Sequence, residues 1–542
     1  MREPESLFPP VAIVGVASLF PNSQEPFGFW RDILLGKDLI TEVPPHYWLV
    51  EDVYDPDPRV PDKAYCKRGG FFREPVVFDC MEYGILPKYL EHTDVTQLLS
   101  LWVAKRALAD ATGGDLSRLD KKNTSVFIGV SGALQIVTEA VQRGVIPIAR
   151  MVGRQIGFSK DEEDTMVERV LSYQPEANES SFPGGLANIT AGRIANHFDL
   201  QGTNCTVDAA CGSSFAALKM ALMELWSHQA DWCLTGGADN LMNGFTFVCF
   251  SKTPALSFSG DCRPFSVDAD GTLLGEGLCF FMLRRLEDAV ADGNKIYAVI
   301  RGIGSSSDGA GTAIYAPKVE GQVLAMERAY KMAGYGPETV ELVEAHGTGT
   351  AAGDGVEFRS MAQVFRKADP ERKQWCALGS VKSQVGHTKG TAGSASLFKA
   401  VMSLRHKALP PTLKVKRPDP QFDIDNSPFY LNTRARPWIH AEDYPRRAGV
   451  SAFGFGGTNF HVTVEEYTGP GQKAPLFRPS PAELFLVGED SPKALAEKGL
   501  SLLEGREKDQ GFRFACRASQ LGFDAQAPFR LAIVAEDTKS LK

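Results

Sequence analysis

A cysteine stands at the junction between a short strand-like segment and a strongly helical one. The residues Thr206-Val207-Asp208-Ala209-Ala210-Cys211-Gly212-Ser213-Ser214 precede the helical run Phe215–Trp226, so the pattern predicts a sharp turn with Cys211 at a helix N-terminus. Unpaired N–H groups and the helix dipole favour the thiolate there. A thiolate is both a nucleophile and a leaving group, as acyl transfer between thioesters requires. We therefore interpret Cys211 as a nucleophile, not as a buried structural cysteine.

Two histidines follow strand-like segments and lie in glycine-rich loops. His346 occurs in Val343-Glu344-Ala345-His346-Gly347-Thr348-Gly349-Thr350, and His387 in Val381-Lys382-Ser383-Gln384-Val385-Gly386-His387-Thr388. A further loop, Gly454-Phe455-Gly456-Gly457-Thr458-Asn459, offers backbone amides to an oxyanion. A lone histidine is usually a core or surface residue. Two of them in such loops, together with the cysteine, predict a catalytic site.

The elements that must position these residues are strands alternating with helices. Apolar runs of strand length recur along the chain, beginning with Val11–Val16, and helical patterns lie between several of them. This alternation predicts an α/β fold with mainly parallel sheets, in which active sites lie where strands end. The other predicted strands are Thr124–Val130, Trp232–Gly237, Leu278–Leu283, Ala298–Ile303, Leu342–Ala345 and Cys376–Val381, and the predicted helices are Leu98–Ala111, Phe215–Trp226 and Gln322–Ala333.

Composition excludes several classes of function. The 542 residues are 43% hydrophobic and 23% charged, with a net charge of −8 and scattered basic residues, which argues against a nucleic-acid binder. No apolar stretch reaches the roughly 18 to 20 residues of a membrane span, and the acidic start is unlike a secretory signal. The ten cysteines show no paired metal-binding spacing. We expect a cytoplasmic protein without a metal site or a membrane span.

The C-terminal part of the chain indicates a second, smaller domain. Gly469-Pro470-Gly471 suggests a boundary, which divides the chain into a domain at 1–468 and a segment at 469–542. That segment shows the pattern of a small α/β module, and we expect the sequence to be a fragment of a longer polypeptide. The alternative is a complete protein with a C-terminal extension. The predicted elements of the module are the strands Leu484–Val487 and Leu531–Val534 and the helices Lys493–Leu503 and Asp509–Leu521.

The cysteine turn, HGTGT at 346–350, VKSQVGH at 381–387 and GFGGTN at 454–459 occur in the order found in one family. Over residues 9–466 the chain resembles the β-ketoacyl synthases, the condensing enzymes of fatty-acid and polyketide synthesis. The resemblance implies an α/β, thiolase-like fold of two similar βαβ halves, layered α-β-α-β-α. The small α/β module after it would be the start of a linker between ketosynthase and acyltransferase domains, and we expect that linker to be truncated here.

The resemblance also implies roles for three residues. Cys211 matches the acyl-accepting nucleophile, and His346 and His387 match the pair that assists malonyl decarboxylation and stabilises the enolate. Physical reasoning agrees, because an enolate oxygen needs hydrogen-bond donors aimed at its developing charge and two imidazole N–H groups supply them.

Further residues support these three in the family pattern. Lys382 matches a structural and electrostatic organiser, and Glu357 matches the acid that forms a buried pair with it. Phe455 matches an aromatic gate, and the oxyanion of the acylated cysteine would lie on the backbone N–H groups of Cys211 and Phe455. Binding of substrate and its phosphopantetheine arm is assigned to Thr348, Thr350, Gly454 and Gly456.

The implied reaction is ping-pong. An acyl group moves from an acyl carrier protein to Cys211, a malonyl unit on a carrier protein loses carbon dioxide, and its carbanion attacks the acyl-cysteine to give a β-ketoacyl thioester. No cofactor is bound, because the carrier protein delivers the phosphopantetheine. The implied partners are the carrier protein, an acyltransferase and other domains of the same megasynthase, and a second copy of the chain in a homodimer.

Three short segments indicate which subgroup of ketosynthases the chain resembles. Residues Ser251–Leu256, Ser306–Gly309 and Ile314–Pro317 are similar to ketosynthases of bacterial polyunsaturated fatty-acid synthases and of heterocyst-glycolipid-type synthases, which are iterative type I systems. The residues after His387, Thr388-Lys389-Gly390-Thr391-Ala392-Gly393, differ from the leucine, glutamate and alanines usual in modular polyketide synthases.

Two other functions are alternatives to a ketosynthase. A non-catalytic chain-length partner usually lacks the cysteine, which is present here as Cys211. A thiolase uses a second cysteine near the C-terminus, and the residues around Phe455 contain none. Cys205, on the strand before Cys211, is interpreted as a packing residue.

Overall fold

The computed structural model describes residues 8–132, 134–140, 144–172, 176, 178–311, 313–471, 482–504 and 509–541. The chain forms two compact units, Met1–Pro475 and Leu476–Lys542. The division falls near the boundary predicted after residue 468, and the role of the second unit stays a prediction.

The first unit combines one large sheet with helices. Its strands are β1 Val11–Leu19, β2 Thr41–Glu42, β3 Arg68–Gly70, β4 Thr124–Gly129, β5 Asn204–Val207, β6 Trp232–Asp239, β7 Leu274–Gly275, β8 Gly277–Arg285, β9 Ala298–Ser307, β10 Leu342–Glu344, β11 Cys376–Gly379, β12 Ala408–Leu409, β13 Phe429–Leu431, β14 Arg436–Pro437, β15 Arg447–Gly454 and β16 Thr458–Glu465. Its helices are α1 Pro26–Leu34, α2 Val50–Val53, α3 Val95–Thr112, α4 Gln135–Ala140, α5 Ile146–Gln155, α6 Lys160–Leu171, α7 Ser181–Gly184, α8 Ile189–Phe198, α9 Ser213–Trp226, α10 Gly244–Lys252, α11 Leu286–Ala291, α12 Val319–Ala333, α13 Ala351–Ala368, α14 Lys382–Val385 and α15 Ala392–His406.

The large sheet consists of two halves with the same topology. Its order is β13-β11-β10-β15-β16-β9-β1-β8-β6-β4-β5, and the halves meet where β1 pairs with β9. Outward from β1 the neighbours are antiparallel β8, antiparallel β6, parallel β4 and parallel β5. Outward from β9 they are antiparallel β16, antiparallel β15, parallel β10 and parallel β11, and β13 extends that edge. In each half the first strand is central and the third is outermost of the five, so the chain repeats one fold.

Helices form three layers around the two half-sheets. On one side α3 and α8 cover β1 and β4, and on the other side α12 packs against β9 and β16 and also against α13. Between the half-sheets lie α9, which packs on β4 and β6, and α15, which packs on α9, β10 and β15. The strands are buried on both faces, and this explains their continuous apolar runs. The predicted α-β-α-β-α layering is present.

The second unit is a small α/β module. Its described elements are β17 Glu483–Glu489, α16 Pro492–Leu503, α17 Asp509–Leu521, β18 Phe529–Ala535 and α18 Thr538–Leu541. The two strands pair antiparallel, and apolar side chains of this unit form a separate cluster that includes Phe485, Phe512 and Cys516. Across both units, no described helix combines the length and apolar character needed to cross a membrane.

One glycine shows how closely the outer helix lies on its strand. A Cβ at Gly304 on β9 would lie 1.9 Å from the carbonyl oxygen of Ala325 and 2.6 Å from the nitrogen of Ala329, both on α12. Helix and strand backbones therefore touch directly, and no side chain separates them.

We predict that Gly304→Ala lowers the melting temperature by several degrees, because α12 must move away from β9 and the core then packs less well. The matched control is Gly192→Ala on α8, where the new methyl group would meet only the Asn204 side-chain oxygen, at 3.7 Å. Thermal unfolding followed by circular dichroism measures both variants. Equal stability of Gly304→Ala and the unsubstituted protein would contradict the direct contact.

Candidate active site

The turn between β5 and α9 is held in a strained conformation. Ala210 has a φ of 49°, a left-handed value that is uncommon for a residue with a Cβ. The Ala209 N–H donates to the Ser213 hydroxyl over 2.9 Å, and that hydroxyl donates to the Ala210 carbonyl oxygen over 2.6 Å. A 3-10 turn at Ala210–Gly212 leads directly into α9, so Cys211 lies at the entrance to the helix as predicted.

The electrostatic surroundings of Cys211 differ from the expectation. Burial raises the pKa of the thiol, and this outweighs the lowering by the Phe455 N–H and by the ammonium groups of Lys382 and Lys389. The sequence predicts that the helix N-terminus favours the thiolate. Desolvation has the larger effect on the pKa, because loops pack around this half-buried residue. Burial thus opposes ionisation of the Cys211 thiol, which must lose its proton when it reacts.

The peptide at His346 is held from two sides. The Glu357 carboxylate accepts the N–H groups of His346 and Gly347, each over 2.7 Å. The ammonium group of Lys382 donates to the His346 carbonyl oxygen. These bonds fix the chain direction where it leaves β10, and with it the place of the imidazole.

The predicted ion pair between Lys382 and Glu357 is wrong in its detail. Among the described residues these two side chains form no direct ion pair; each binds the backbone beside His346 instead. The backbone groups of the loop would otherwise be buried without hydrogen-bond partners. They therefore bind the Glu357 carboxylate and the Lys382 ammonium group, which would face each other in a direct ion pair. The two charges still interact: burial lowers the pKa of Lys382, and Glu357 opposes that shift.

Both imidazoles have the same hydrogen-bonding pattern. Nδ1 of His346 accepts the Phe453 N–H over 3.3 Å, and Nδ1 of His387 accepts the Lys389 N–H over 3.0 Å. A neutral imidazole with an acceptor at Nδ1 carries its proton on Nε2. The rings lie 5.4 Å apart between centroids and are nearly perpendicular, at 84°.

Both imidazoles are also neutral. Burial first, and then the nearby charge of Lys382, hold the pKa of each ring well below 6.5. Each ring therefore presents an Nε2–H as a hydrogen-bond donor at neutral pH. The arrangement suits stabilisation of a developing negative charge better than removal of a proton from the Cys211 thiol.

The loop after His346 is fixed by carboxylates and hydroxyls. Thr350 caps α13 by accepting the Gly353 N–H over 3.3 Å, and its hydroxyl lies 2.9 Å from that of Thr348. Both threonines are half-buried. Asp354, which sequence reasoning missed, accepts the N–H groups of Gly349 and Phe265 over 3.1 and 2.7 Å. Its place four residues after Thr350, in the first turn of the helix, was the available signal.

Burial raises the pKa of both carboxyl groups beneath this loop. The pKa of Asp354 rises to about 7, and that of Glu357 also rises to about 7. The hydrogen bonds from the backbone oppose this effect but do not cancel it.

The loop at 454–459 forms the tight turn of the β15–β16 hairpin. Gly454 pairs with Thr458, and Phe455 lies at the tip with 54% of its surface exposed. Its ring stacks on Tyr315 at 5.2 Å and 9°, a partner that sequence reasoning did not assign. A Cβ at Gly454 would lie 2.4 Å from the Ala209 carbonyl oxygen, so the loop packs directly on the cysteine turn. Gly456 has a φ of 128° and open space beside it.

The structure therefore brings the predicted residues together from both half-sheets. The turn containing Cys211 packs on β15 and on the turn Lys389–Thr391, and β15 supplies the N–H that His346 accepts. A second pair of charges missed from the sequence, Asp239 and Lys389, lies beside His387. Within the described ranges, no group of three or more histidine, cysteine, aspartate or glutamate side chains is arranged to hold a metal ion.

Two family models match the chain. The model described as "Beta-ketoacyl synthase, N-terminal domain" matches residues 9–289, and "Beta-ketoacyl synthase, C-terminal domain" matches residues 297–416.

Individual proteins are similar as well. One component protein of the polyunsaturated fatty acid synthase of Thraustochytrium sp. is 40% identical over 462 residues, which are 84% of this chain and 16% of that protein. The polyketide synthase PksL of Bacillus subtilis is 31% identical over 98% of this chain and 11% of its own length. The chain thus spans a small part of these relatives. Among solved structures, the oxazolomycin ketosynthase domain OzmH KS7 of Streptomyces albus matches with a TM-score of 0.76 and 30% identity, covering 98% of this chain and 87% of that one.

The raised pKa of Cys211 predicts how its alkylation depends on pH. Because only the thiolate reacts, the rate with iodoacetamide should rise about tenfold per pH unit from pH 7 to pH 9. Peptide mass spectrometry of the Cys211 peptide measures this rate, and Cys211→Ser shows the background from the other cysteines. A rate that levels off below pH 8 would mean that the helix N-terminus outweighs burial.

Proposed function

Because the chain belongs to the β-ketoacyl synthase family, we propose that Cys211 carries an acyl group and condenses it with a malonyl unit on an acyl carrier protein. The membership confirms the predicted family, the thiolase-like fold and the ketosynthase class of function. It does not favour a non-catalytic partner or a thiolase. The roles of single residues, the substrates and the partners are our proposals.

The observation that supports this reaction best is the pair of neutral imidazoles. His346 and His387 each use Nδ1 as an acceptor for a backbone N–H, which leaves two Nε2–H donors. Decarboxylation of a malonyl thioester gives an enolate with its charge on one oxygen. Two donors held in place before the reaction stabilise that charge without reorganisation.

The first step is transfer of the acyl group to Cys211. The thiol loses its proton as sulfur attacks the thioester carbonyl carbon, and the carrier thiolate that leaves takes up a proton. The tetrahedral oxyanion lies on the N–H groups of Cys211 and Phe455. Support comes from the Phe455 N–H, which already interacts with the sulfur and lowers the pKa of the thiol against the larger effect of burial.

The second step forms the carbon–carbon bond. The malonyl thioester loses carbon dioxide, and the enolate oxygen accepts from Nε2 of His346 and of His387. The α-carbon attacks the acyl-cysteine carbonyl, the bond to Cys211 sulfur breaks, and a β-ketoacyl thioester leaves. The released thiolate regains its proton from water.

The phosphopantetheine arm arrives with the carrier protein. We assign contacts with it to the half-buried hydroxyls of Thr348 and Thr350 and to the backbone at Gly454 and Gly456. Each hydroxyl already accepts one backbone N–H, that of Gly353 for Thr350 and that of Thr350 for Thr348, so the two are equally placed to bind the arm.

The wider context follows from the relatives. The 40% identity to part of a polyunsaturated fatty acid synthase supports long-chain acyl substrates, and the small share of each relative that the chain covers supports a place within a larger synthase. We propose that an acyltransferase follows the second unit and that carrier proteins of the same synthase deliver the acyl and malonyl groups.

A homodimer is proposed from the open edge of the large sheet. Within the described residues that sheet ends at β5, whose backbone is available for pairing. Helix α9 packs beside β5 and exposes Met220 and Met223. An edge strand next to exposed apolar side chains favours pairing with a second copy of this chain.

We predict that Cys211→Ala abolishes acylation of the protein. Intact-mass measurement after incubation with a panel of acyl thioesters of increasing length detects the added acyl mass and identifies the preferred chain. Cys205→Ala is the matched control on β5 and should acylate normally. Acylation that survives in Cys211→Ala would disprove the proposed nucleophile.

We predict that His346→Ala and His387→Ala separate the two steps. Each variant should acylate at nearly the normal rate, because the imidazoles do not act on the sulfur. Release of carbon dioxide from malonyl carrier protein should fall by at least about 100-fold, the typical cost of a lost oxyanion donor. If acylation fell as far as decarboxylation, a general-base role toward Cys211 would replace the proposed one.

Light scattering tests the dimer. The mass in solution should be twice 59.0 kDa. Met223→Glu should shift the protein toward a monomer, because a charge would be buried in the interface. Ile439→Glu, at another exposed apolar position, is the control. A monomer at micromolar concentration without substitution would exclude the proposed assembly.

A further inference from the structure

Lys389 lies two residues after His387 and has an unusual backbone conformation. Its φ is 47°, in the left-handed region that is unfavourable for a residue with a side chain. In that conformation its N–H reaches Nδ1 of His387 over 3.0 Å. The bond that sets the imidazole tautomer therefore depends on a strained residue.

The side chain of Lys389 is buried and paired. Its ammonium nitrogen lies 3.0 Å from a carboxylate oxygen of Asp239, at the end of β6, and donates to the Gly275 carbonyl oxygen over 2.8 Å. The other Asp239 oxygen accepts the Ser131 hydroxyl over 2.7 Å and the Gly390 N–H over 3.0 Å. The ion pair and its hydrogen bonds thus connect the His387 loop to the ends of three strands, which are β6 at Asp239, β7 at Gly275 and β4 just before Ser131.

We propose that Lys389 is a positioning residue for His387: its ion pair with Asp239 holds the Lys389 N–H on Nδ1 and so keeps the imidazole proton on Nε2. This inference rests on the proposed function, in which that Nε2–H binds the enolate oxygen. Among the described residues neither charged group forms a hydrogen bond with Cys211, and their effects on the pKa of its thiol are opposite, since Asp239 raises it and Lys389 lowers it. The pair therefore acts on the reaction chiefly through the imidazole.

The physical argument concerns what happens when the pair is lost. A left-handed backbone persists only where its surroundings hold it, and here the buried ammonium is the anchor. Without it the loop relaxes, the N–H moves off Nδ1, and the proton can occupy either ring nitrogen. A ring with its proton on Nδ1 presents a lone pair to the enolate and repels it.

The experiment measures the two half-reactions separately in the full chain. Lys389→Met keeps the length of the side chain without its charge. We expect kcat for decarboxylation of malonyl carrier protein to fall about 10- to 100-fold, as for a catalytic group displaced by about 1 Å, with little change in KM. The rate of Cys211 acylation should fall much less, because the cysteine turn packs on the turn Lys389–Thr391 but among the described residues no hydrogen bond to Lys389 holds it.

The double variant Asp239→Asn/Lys389→Met removes both charges and leaves no unpaired buried charge, which protects folding if the single variant is unstable. Asparagine keeps an oxygen acceptor for Ser131 and Gly390. If the two residues act as a pair, the double variant should lose no more decarboxylation than Lys389→Met alone. A double variant that loses clearly more decarboxylation activity than Lys389→Met alone would contradict a joint action of the two residues.

Arg285→Met is the control for general destabilisation. It breaks an ion pair of another buried side chain, between Arg285 at the end of β8 and Asp288 on α11 at 2.7 Å, away from the loops of the site. We expect it to lower the melting temperature without changing the ratio of the two rates. Equal losses of both rates in Lys389→Met, or no loss in either, would overturn the inference.

The unsubstituted protein and His387→Ala separate this inference from the proposed function. If the unsubstituted protein releases no carbon dioxide, or if His387→Ala releases it at the normal rate, the proposed function fails and the inference fails with it. If both behave as expected and Lys389→Met is normal, only the inference is wrong.

Discussion

Removal from water is the constraint on which the site and its surroundings both depend. Buried imidazoles stay neutral, and each neutral ring then needs one donor and one acceptor as partners. Within the part of the chain that the structure describes, the protein supplies only the donor, from the backbone at Phe453 for His346 and at Lys389 for His387. The remaining N–H of each ring is left for a substrate oxygen, so the same burial that fixes the charge state also creates the binding preference.

The same constraint determines how the ionised groups around the rings are used. A charge without a partner inside a protein is costly, and the charged side chains beside His346 bind backbone groups. Glu357 binds two N–H groups of the His346 loop, and Lys382 binds its carbonyl oxygen. The charge of Lys382 also helps to keep both imidazoles neutral. These charges therefore set the geometry of the loop as much as its electrostatics.

What the sequence predicted correctly depends on neighbours along the chain. The alternation of strands and helices and the motifs around Cys211, His346 and His387 are local, and they indicated the fold and the loops that meet. The donor to Nδ1 of His346 is 107 residues away on β15, and Asp239 is far from Lys389 in sequence, so local patterns carry no sign of either. The effect of burial on the thiol pKa could not be predicted for the same reason: a helix N-terminus is visible in a sequence, but the burial that raises the pKa of Cys211 is not.

The repeated topology gives each half its own task. In the first half the third strand, β5, leads into the turn with Cys211, and in the second half β10 and β11 lead to the two histidines. The proposed oxyanion donors come one from each half, at Cys211 and at Phe455. Their separation is set where Gly454 meets the Ala209 carbonyl oxygen, at a distance that leaves no room for a side chain. Backbone packing is stiffer than contact between side chains. Direct backbone contact between the two halves therefore holds the two oxyanion donors at a fixed separation, as the reaction requires.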